Sequence, residues 1–401
     1  MLRLLKLREI GADNPLILYR AETTRRLFGL ELSKYTDCER VHKSPIGTLD
    51  IDLAEGRYLL SGATNGTVAI HDLEDFSGDF RHIYKHVCGV NRDNRHAHKH
   101  SVTTVQWYPL DTGLFTTSGT DKVLKIWDTN RLIPADKYRF DTIIYSHHLS
   151  PIATKHTLLA VGCEGSTLKL VDLRAGSSTH MLKGHKSSIF CVKWSTKDEF
   201  ILASGSADNR VMLWDIRKAK GSLMSLDQHN KQSSSGTKEA CTAHNGHVNG
   251  MCFTSDGLFL LTFGTDDTLR LWNTSTGKNT MVNYGSIRND SRKNVQIAIS
   301  QNGCPDVVIV PNETNIEILE LHSGMTINTL RGHYSQVNSC VYHRDRHEVY
   351  SGSNDRNILI WVPETATDYD EYLKSETQSK SRNKFVSRIA ATADSWSSEE
   401  D

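Results

Sequence analysis

A twelve-residue phrase recurs along this 401-residue chain, and its spacing limits the folds open to it more than any single residue does. The clearest copies are Thr117–Asp128 (TSGTDKVLKIWD), Ser204–Asp215 (SGSADNRVMLWD), Thr262–Asn273 (TFGTDDTLRLWN) and Ser351–Val362 (SGSNDRNILIWV). Ser61–Asp72 and Val161–Asp172 are weaker copies, and a faint one spans Ile309–Glu320. Aligned on the tryptophan, the copies place His71, Trp127, Val171, Trp214, Trp272, Leu319 and Trp361 in one column, 42 to 58 residues apart. Self-similarity at such a period marks an architecture of repeated units, here seven of them.

Each copy carries a run such as Val123-Leu124-Lys125-Ile126-Trp127, apolar at alternate positions, as a half-buried strand requires. The Thr-Asp, Ala-Asp and Asn-Asp pairs before these runs supply tight-turn chemistry. A small antiparallel sheet cannot bury both faces alone; stacking sheets around an axis buries them and leaves only short edges. Gly184-His185 and Gly332-His333 stand 29 and 28 residues, counted from the histidine, before Trp214 and Trp361, and His42, His98 and His244 hold similar places in other units. On these residues the chain resembles the WD40 β-propellers. The fold expected is all-β: a seven-bladed propeller over 33–362, a helix-loop-helix at 1–32 and a disordered tail at 363–401.

His185, Ser204 and Asp208 are the ingredients of a nucleophilic triad. The same set recurs around Trp214 in one unit, as Thr117, Asp121 and Trp127 in a second, Thr262, Asp266 and Trp272 in a third, and His333, Ser351, Asp355 and Trp361 in a fourth. A catalytic site is seldom built four times over, so repetition favours structure over chemistry. The resemblance implies a buried network in which His and Asp tie the loops to the hydroxyl and the indole N–H. The units with Asn65 and His71, with Gly165 and Val171, and with the faint copy lack parts of this set and are expected to lean on their neighbours.

The charge balance of 47 basic and 47 acidic residues offers no concentrated basic face for direct, sequence-specific DNA binding. Met1–Arg8 is too charged and too short for a signal peptide, and no apolar run reaches transmembrane length, so neither secretion nor membrane insertion is expected. Eight scattered cysteines without a C-x-x-C pair read as reduced thiols. His96-Ala97-His98-Lys99-His100 offers imidazoles to a metal, yet no carboxylate or thiol set completes a site, and His98 or His100 is better placed as a loop histidine of the repeat. With no phosphate-binding loop, metalloprotease motif or nucleophile elbow either, neither a cofactor nor an enzyme is expected.

Function then lies in what the ring displays and in what flanks it. Leu2, Leu4, Leu5 and Leu7 form a short apolar stripe, and after Pro15 the stretch Ala21–Phe28 can form a second helix. Such short helices need a surface, either the chain's own ring or a partner's groove. Two polar insertions, about 74–100 and 218–243, follow equivalent strands and are expected on the same side of the ring; Lys231–Lys238 reads as flexible.

Trp214-Asp215-Ile216-Arg217 is a WD-x-R box, and Val171-Asp172-Leu173-Arg174 is a partial one in the preceding unit. Consecutive boxes behind a leading helical pair resemble the substrate receptors of cullin-4 ubiquitin ligases. An arginine there can fork to carboxylates or carbonyls in a geometry that lysine lacks. Ala21–Arg26, Val105–Pro109, Tyr145–His148, Ala243–Gly246 and Phe253–Gly257 are similar to the corresponding stretches of the Cockayne syndrome group A family. That resemblance implies a non-catalytic, nuclear receptor subunit acting in transcription-coupled nucleotide excision repair. Its implied partners are the damage-specific DNA-binding protein 1 adaptor, cullin-4 with a RING-box protein, the Cockayne syndrome B ATPase and lesion-stalled RNA polymerase II. Leu2, Leu4, Leu5, Leu7, Arg174 and Arg217 would dock the adaptor. Ser395, Ser397 and Ser398, beside Glu399-Glu400-Asp401, fit an acid-directed kinase. The alternative is a general WD40 scaffold with no ubiquitin role.

Overall fold

The computed structural model describes residues 9, 11, 14–77, 82–218, 221–230 and 241–363. Within them seven antiparallel sheets follow one another along the chain as blades of a ring. A blade runs through strands a, b, c and d, as in Val102–Trp107, Leu114–Gly119, Val123–Asp128 and Ile133–Arg139 of blade 2, and blade 5 has the first three of them. The a strands of successive blades touch one another and so line the axis. Seven apolar clusters among the described residues hold the ring together, and each straddles the seam between two adjacent blades.

The ring is closed by its own N-terminal strand. Leu30–Leu32 pairs with Ile358–Pro363 and becomes the outer strand of blade 7, with the Ser33 amide donating to the Ile360 carbonyl at 2.9 Å. The propeller thus begins at Leu30, and a boundary drawn after residue 32 cuts into it. Leu30 is buried together with Leu27, Ile318 and Trp361. Blade 1 (Ile46–Ile51, Tyr58–Ala63, Val68–Ser77, His82–Val90) gains a fifth strand, Thr36–Cys38, parallel to its outer edge.

The four complete phrases form four copies of one network. In blade 4 the Trp214 indole donates to Ser204 Oγ at 2.7 Å, His185 Nε2 meets the same hydroxyl at 2.7 Å, and His185 Nδ1 lies 3.1 Å from the Asp208 carboxylate. Thr117, His98, Asp121 and Trp127 repeat this in blade 2, with His98 supplying the histidine that the sequence left between His98 and His100. Thr262, His244, Asp266 and Trp272 repeat it in blade 5, and Ser351, His333, Asp355 and Trp361 in blade 7. The residue after each aspartate, Lys122, Asn209, Asp267 or Arg356, has φ between 58° and 71°, so the b–c turn has one fixed shape. Blade 1 keeps part of the set: His42 meets Ser61 at 2.8 Å, while His71 replaces the tryptophan and turns to the Glu39 carbonyl at 3.0 Å. Blade 6 has no such network, and its Val307, Ile309, Ile316, Ile318 and Leu319 are fully buried instead.

Both insertions leave strand c at the same end of the ring, as expected, but they do not stay together. The first is mostly ordered sheet: strands c and d of blade 1 run on to Ser77 and restart at His82, pairing across a bulge, so the hairpin points to the a–b and c–d end of the ring. The second begins as a c–d connection, but strand d, Met224–Ser225, pairs back along Met212 and Leu213 and carries Leu226–Asn230 to the opposite end, where Cys241–His247 leads into blade 5. Lys231–Lys238 lies outside the described residues.

Ser204→Ala is expected to leave the Trp214 indole and His185 Nε2 unpartnered, at about 1–3 kcal/mol for each. Ser61→Ala removes the partner of His42 Nε2 and a donor to the Ala69 carbonyl but leaves no indole N–H stranded, so it should cost less, and Asp266→Gly should destabilise by releasing His244 and Arg270. Urea denaturation of the three variants checks this order; equal midpoints for Ser204→Ala and the parent would refute the network.

Burial pushes His42 and His147 down to about 3 and His71 to about 4, and it also lowers His98, His244 and His333 despite their aspartates. These rings are held neutral in the fold and gain protons on unfolding. Their contribution is therefore complete above the ordinary imidazole value, about 6.5, and is lost as pH falls from there towards 3. The melting temperature should drop steadily between about pH 7 and 5; a flat profile over that window would contradict the burial of these rings as neutral groups.

Candidate docking face

A fourteen-residue helix leads into the ring. Helix α1, Pro15–Phe28, starts at Pro15, six residues earlier than the expected Ala21. Proline costs nothing at the first helical position, whose N–H has no partner in any case, and the Asn14 side chain caps the turn by accepting from the Leu16 amide at 3.0 Å. Pro15 is therefore the first residue of this helix. Leu2, Leu4, Leu5 and Leu7 lie outside the described residues, as do Ser395, Ser397 and Ser398.

The two halves of α1 meet different surroundings. Its C-terminal half is anchored to the ring: Leu27 is fully buried in the blade 6–7 seam, Thr23 is buried, and the Thr24 hydroxyl takes the Cys304 amide at 2.8 Å. Its N-terminal half exposes four consecutive large side chains, Leu16 at 70%, Ile17 at 65%, Leu18 at 44% and Tyr19 at 53%. Glu22 sits between, held down to about 2 by Arg25 and then Arg26. The segment thus packs on its own ring through one half and presents apolar surface on the other. The signal was in the sequence as the Leu16-Ile17-Leu18-Tyr19 run, which an amphipathic helix has no reason to keep on its solvent side.

Topology places this helix and both box arginines on one face. In an antiparallel meander the a–b and c–d connections lie at one end and the b–c and d–a connections at the other. Cys304 and His347, which touch Thr24 and Tyr19, lie in the a–b connections of blades 6 and 7. Arg174 and Arg217 lie just past strand c of blades 3 and 4.

The two arginines are not held alike. Arg217 forks onto Asp215, Nε to Oδ1 at 2.9 Å and a terminal nitrogen to Oδ2 at 3.0 Å, and stacks over Phe200 with its guanidinium carbon 4.7 Å from the ring centre. That fork is the largest cause keeping the Asp215 carboxylate below its usual range. Arg174 donates only its backbone N–H to Asp172, at 2.9 Å, and its exposed side chain makes no ion pair among the described residues. Asp172 takes the Thr157 hydroxyl instead. Arg217 is thus a preorganised cation and Arg174 an unrestrained one.

Beside Arg217 opens a cavity of about 640 Å3 between blades 3, 4 and 5. Ile152, Phe200, Leu213 and Phe253 give it an apolar floor, while Lys155, Asp198 and Glu199 stand at its polar wall. Sequence reading missed it, because its walls come from connections of three blades that share no motif. Among the described residues no group of three His, Cys, Asp or Glu side chains is arranged to hold a metal; His96 is engaged with Arg95 and Lys137.

Comparison with known proteins agrees with this geometry. The family model "WD domain, G-beta repeat" matches residues 90–128, 176–215, 237–273 and 324–362, the four blades with complete hydrogen-bond networks. The chain is 32% identical over 443 aligned positions to the WD repeat-containing protein ATCSA-1 of Arabidopsis thaliana, covering 93% of this chain and 95% of that one. It is 28% identical to radiation-sensitive protein 28 of Saccharomyces cerevisiae over 44% of this chain and 38% of the relative. Similarity to a ribosome biogenesis protein WDR12 homolog of Drosophila persimilis, 30% identical, covers 34% of this chain and 32% of the relative. With one relative matched nearly end to end and the seven blades in place, the chain belongs to the WD40-repeat family.

Proposed function

We propose that this protein is the substrate-recognition subunit of a cullin-4 ubiquitin ligase, docked through the damage-specific DNA-binding protein 1 adaptor and acting in transcription-coupled nucleotide excision repair. In this reading it is a nuclear, non-catalytic receptor that brings the ligase to the Cockayne syndrome B ATPase at lesion-stalled RNA polymerase II. The observation that carries it is the placement of the exposed Leu16–Tyr19 surface of α1 on the same face as Arg174 and Arg217. A receptor needs such an arrangement: an apolar helix to fill a groove, with cations beside it to set register against the partner's surface. The end-to-end likeness to a relative named ATCSA-1, a name matching the Cockayne syndrome group A family, supports the same reading. So does a relative named for radiation sensitivity. The reading as a scaffold without a ubiquitin role rests on the partial WDR12 likeness, which covers about a third of the chain.

The ring needs Leu30–Leu32, so the informative truncation removes residues 1–13 and keeps α1 with its cap. Full-length protein is expected to capture the purified adaptor, and Leu16→Asp with Ile17→Asp to lower that affinity by at least about ten-fold without a change in melting temperature, since both side chains are exposed. No capture by the full-length chain would sink the receptor reading. If the truncated chain still binds, the docking energy lies in α1 and the ring face rather than in Leu2, Leu4, Leu5 and Leu7.

Arg217→Ala should weaken adaptor binding more than Arg174→Ala, because Asp215 and Phe200 already hold Arg217 in place and less freedom is lost on docking. Surface plasmon resonance of the two variants decides it, and equal loss would show that preorganisation does not matter there.

A further inference from the structure

The face opposite α1 carries a second concavity, of about 390 Å3, at the seam where blade 7 meets blade 1. Arg40, His42, Asn354, Asp355, Arg356 and Asn357 line it. They come from the connection entering blade 1 and from the b–c turn of blade 7, so this site exists only because the ring closes. Its one carboxylate is already committed. Asp355 accepts from His333 Nδ1 at 2.7 Å and from the backbone N–H groups of Tyr334 and Asn357, and it is nearly buried. His42 is kept uncharged by burial and is tied to Ser61 and Thr67.

The two arginines, in contrast, are exposed and make no ion pair or side-chain hydrogen bond among the described residues. Arg57, Arg217, Arg270 and Arg288 elsewhere on the ring each hold a carboxylate. Arg356 also occupies a left-handed backbone position, φ 71°, which glycine or asparagine would take more cheaply. A long cation there is not something the turn requires. From the adjacent d–a connection stands Tyr334, 90% exposed, the most exposed large apolar or aromatic side chain among the described residues. Unpaired guanidiniums in a concavity offer forked donors to carboxylates, and a bare aromatic beside them offers stacking area at little entropic cost.

We propose that this seam pocket binds an acidic segment of a protein partner, its glutamate or aspartate carboxylates on Arg40 and Arg356 and a neighbouring apolar or aromatic side chain on Tyr334. Peptide is favoured over nucleic acid because the chain has no net charge and the site has two guanidiniums rather than a basic stripe able to follow a phosphate backbone. The pocket lies on the face opposite α1, so an acidic partner and a partner on the α1 face can be held together.

The test is fluorescence anisotropy on the purified full-length chain. The probe is a labelled peptide of glutamates and aspartates around one phenylalanine, with its glutamine and asparagine counterpart as control. The acidic peptide should bind, more weakly as salt rises, and the neutral one should not. Arg40→Glu with Arg356→Glu should weaken binding by at least about ten-fold. Arg356→Gly should also weaken it while the melting temperature holds or rises, since the backbone strain is relieved as the cation is lost. A wild-type chain that ignores the acidic peptide, a neutral peptide that binds as tightly, or unchanged binding in either arginine variant would overturn the proposal.

Discussion

Ring closure is the constraint on which every other feature depends. Each blade has apolar residues on both faces, and each of the seven clusters draws on two blades, so no sheet is complete until its neighbours are present. A row of such sheets would leave two apolar faces and two strand edges in water. Bringing Leu30–Leu32 onto Ile358–Pro363 removes both, at the entropic cost of joining the two ends of the described chain. The same closure seats helix α1, because Leu27 and Leu30 enter one cluster with Trp361.

Within that frame the blades use two currencies of stability. Four of them spend a tryptophan, a histidine, an aspartate and a hydroxyl on a shared buried network, in which one hydroxyl oxygen serves the indole and the imidazole together. Blade 6 dispenses with it and fills the space with branched aliphatic side chains. The two solutions coexist because apolar packing across a seam is indifferent to what lies within the neighbouring blade. A network demands complete partners, and an apolar sheet demands only volume.

The two ends of the ring differ in chemistry. One carries an apolar helix half, two box arginines and a mixed cavity; the other carries the imidazole–carboxylate loops and the unpaired arginines of the seam. Alternation of strand direction produces this division, since all a–b and c–d connections must fall on one end.

The repeated phrase determined the class of fold and the number of blades, because period-2 alternation, turn residues and a column that recurs every 42 to 58 residues are local properties of the chain, while the network within each unit was implied by the resemblance to WD40 propellers. It also singled out Arg217 just past its strand, and the structure forks that side chain onto Asp215. Only the tertiary structure decided that Leu30–Leu32 belongs to the last blade, that one helix is half anchored and half bare, and that the second insertion returns to the end opposite the first hairpin. It alone brought Arg40 beside Arg356 and set Phe200 beneath Arg217. These pairings join residues from different blades or from the two ends of the ring, and their contact depends on the angle through which sheets stack, which no local pattern in the chain encodes.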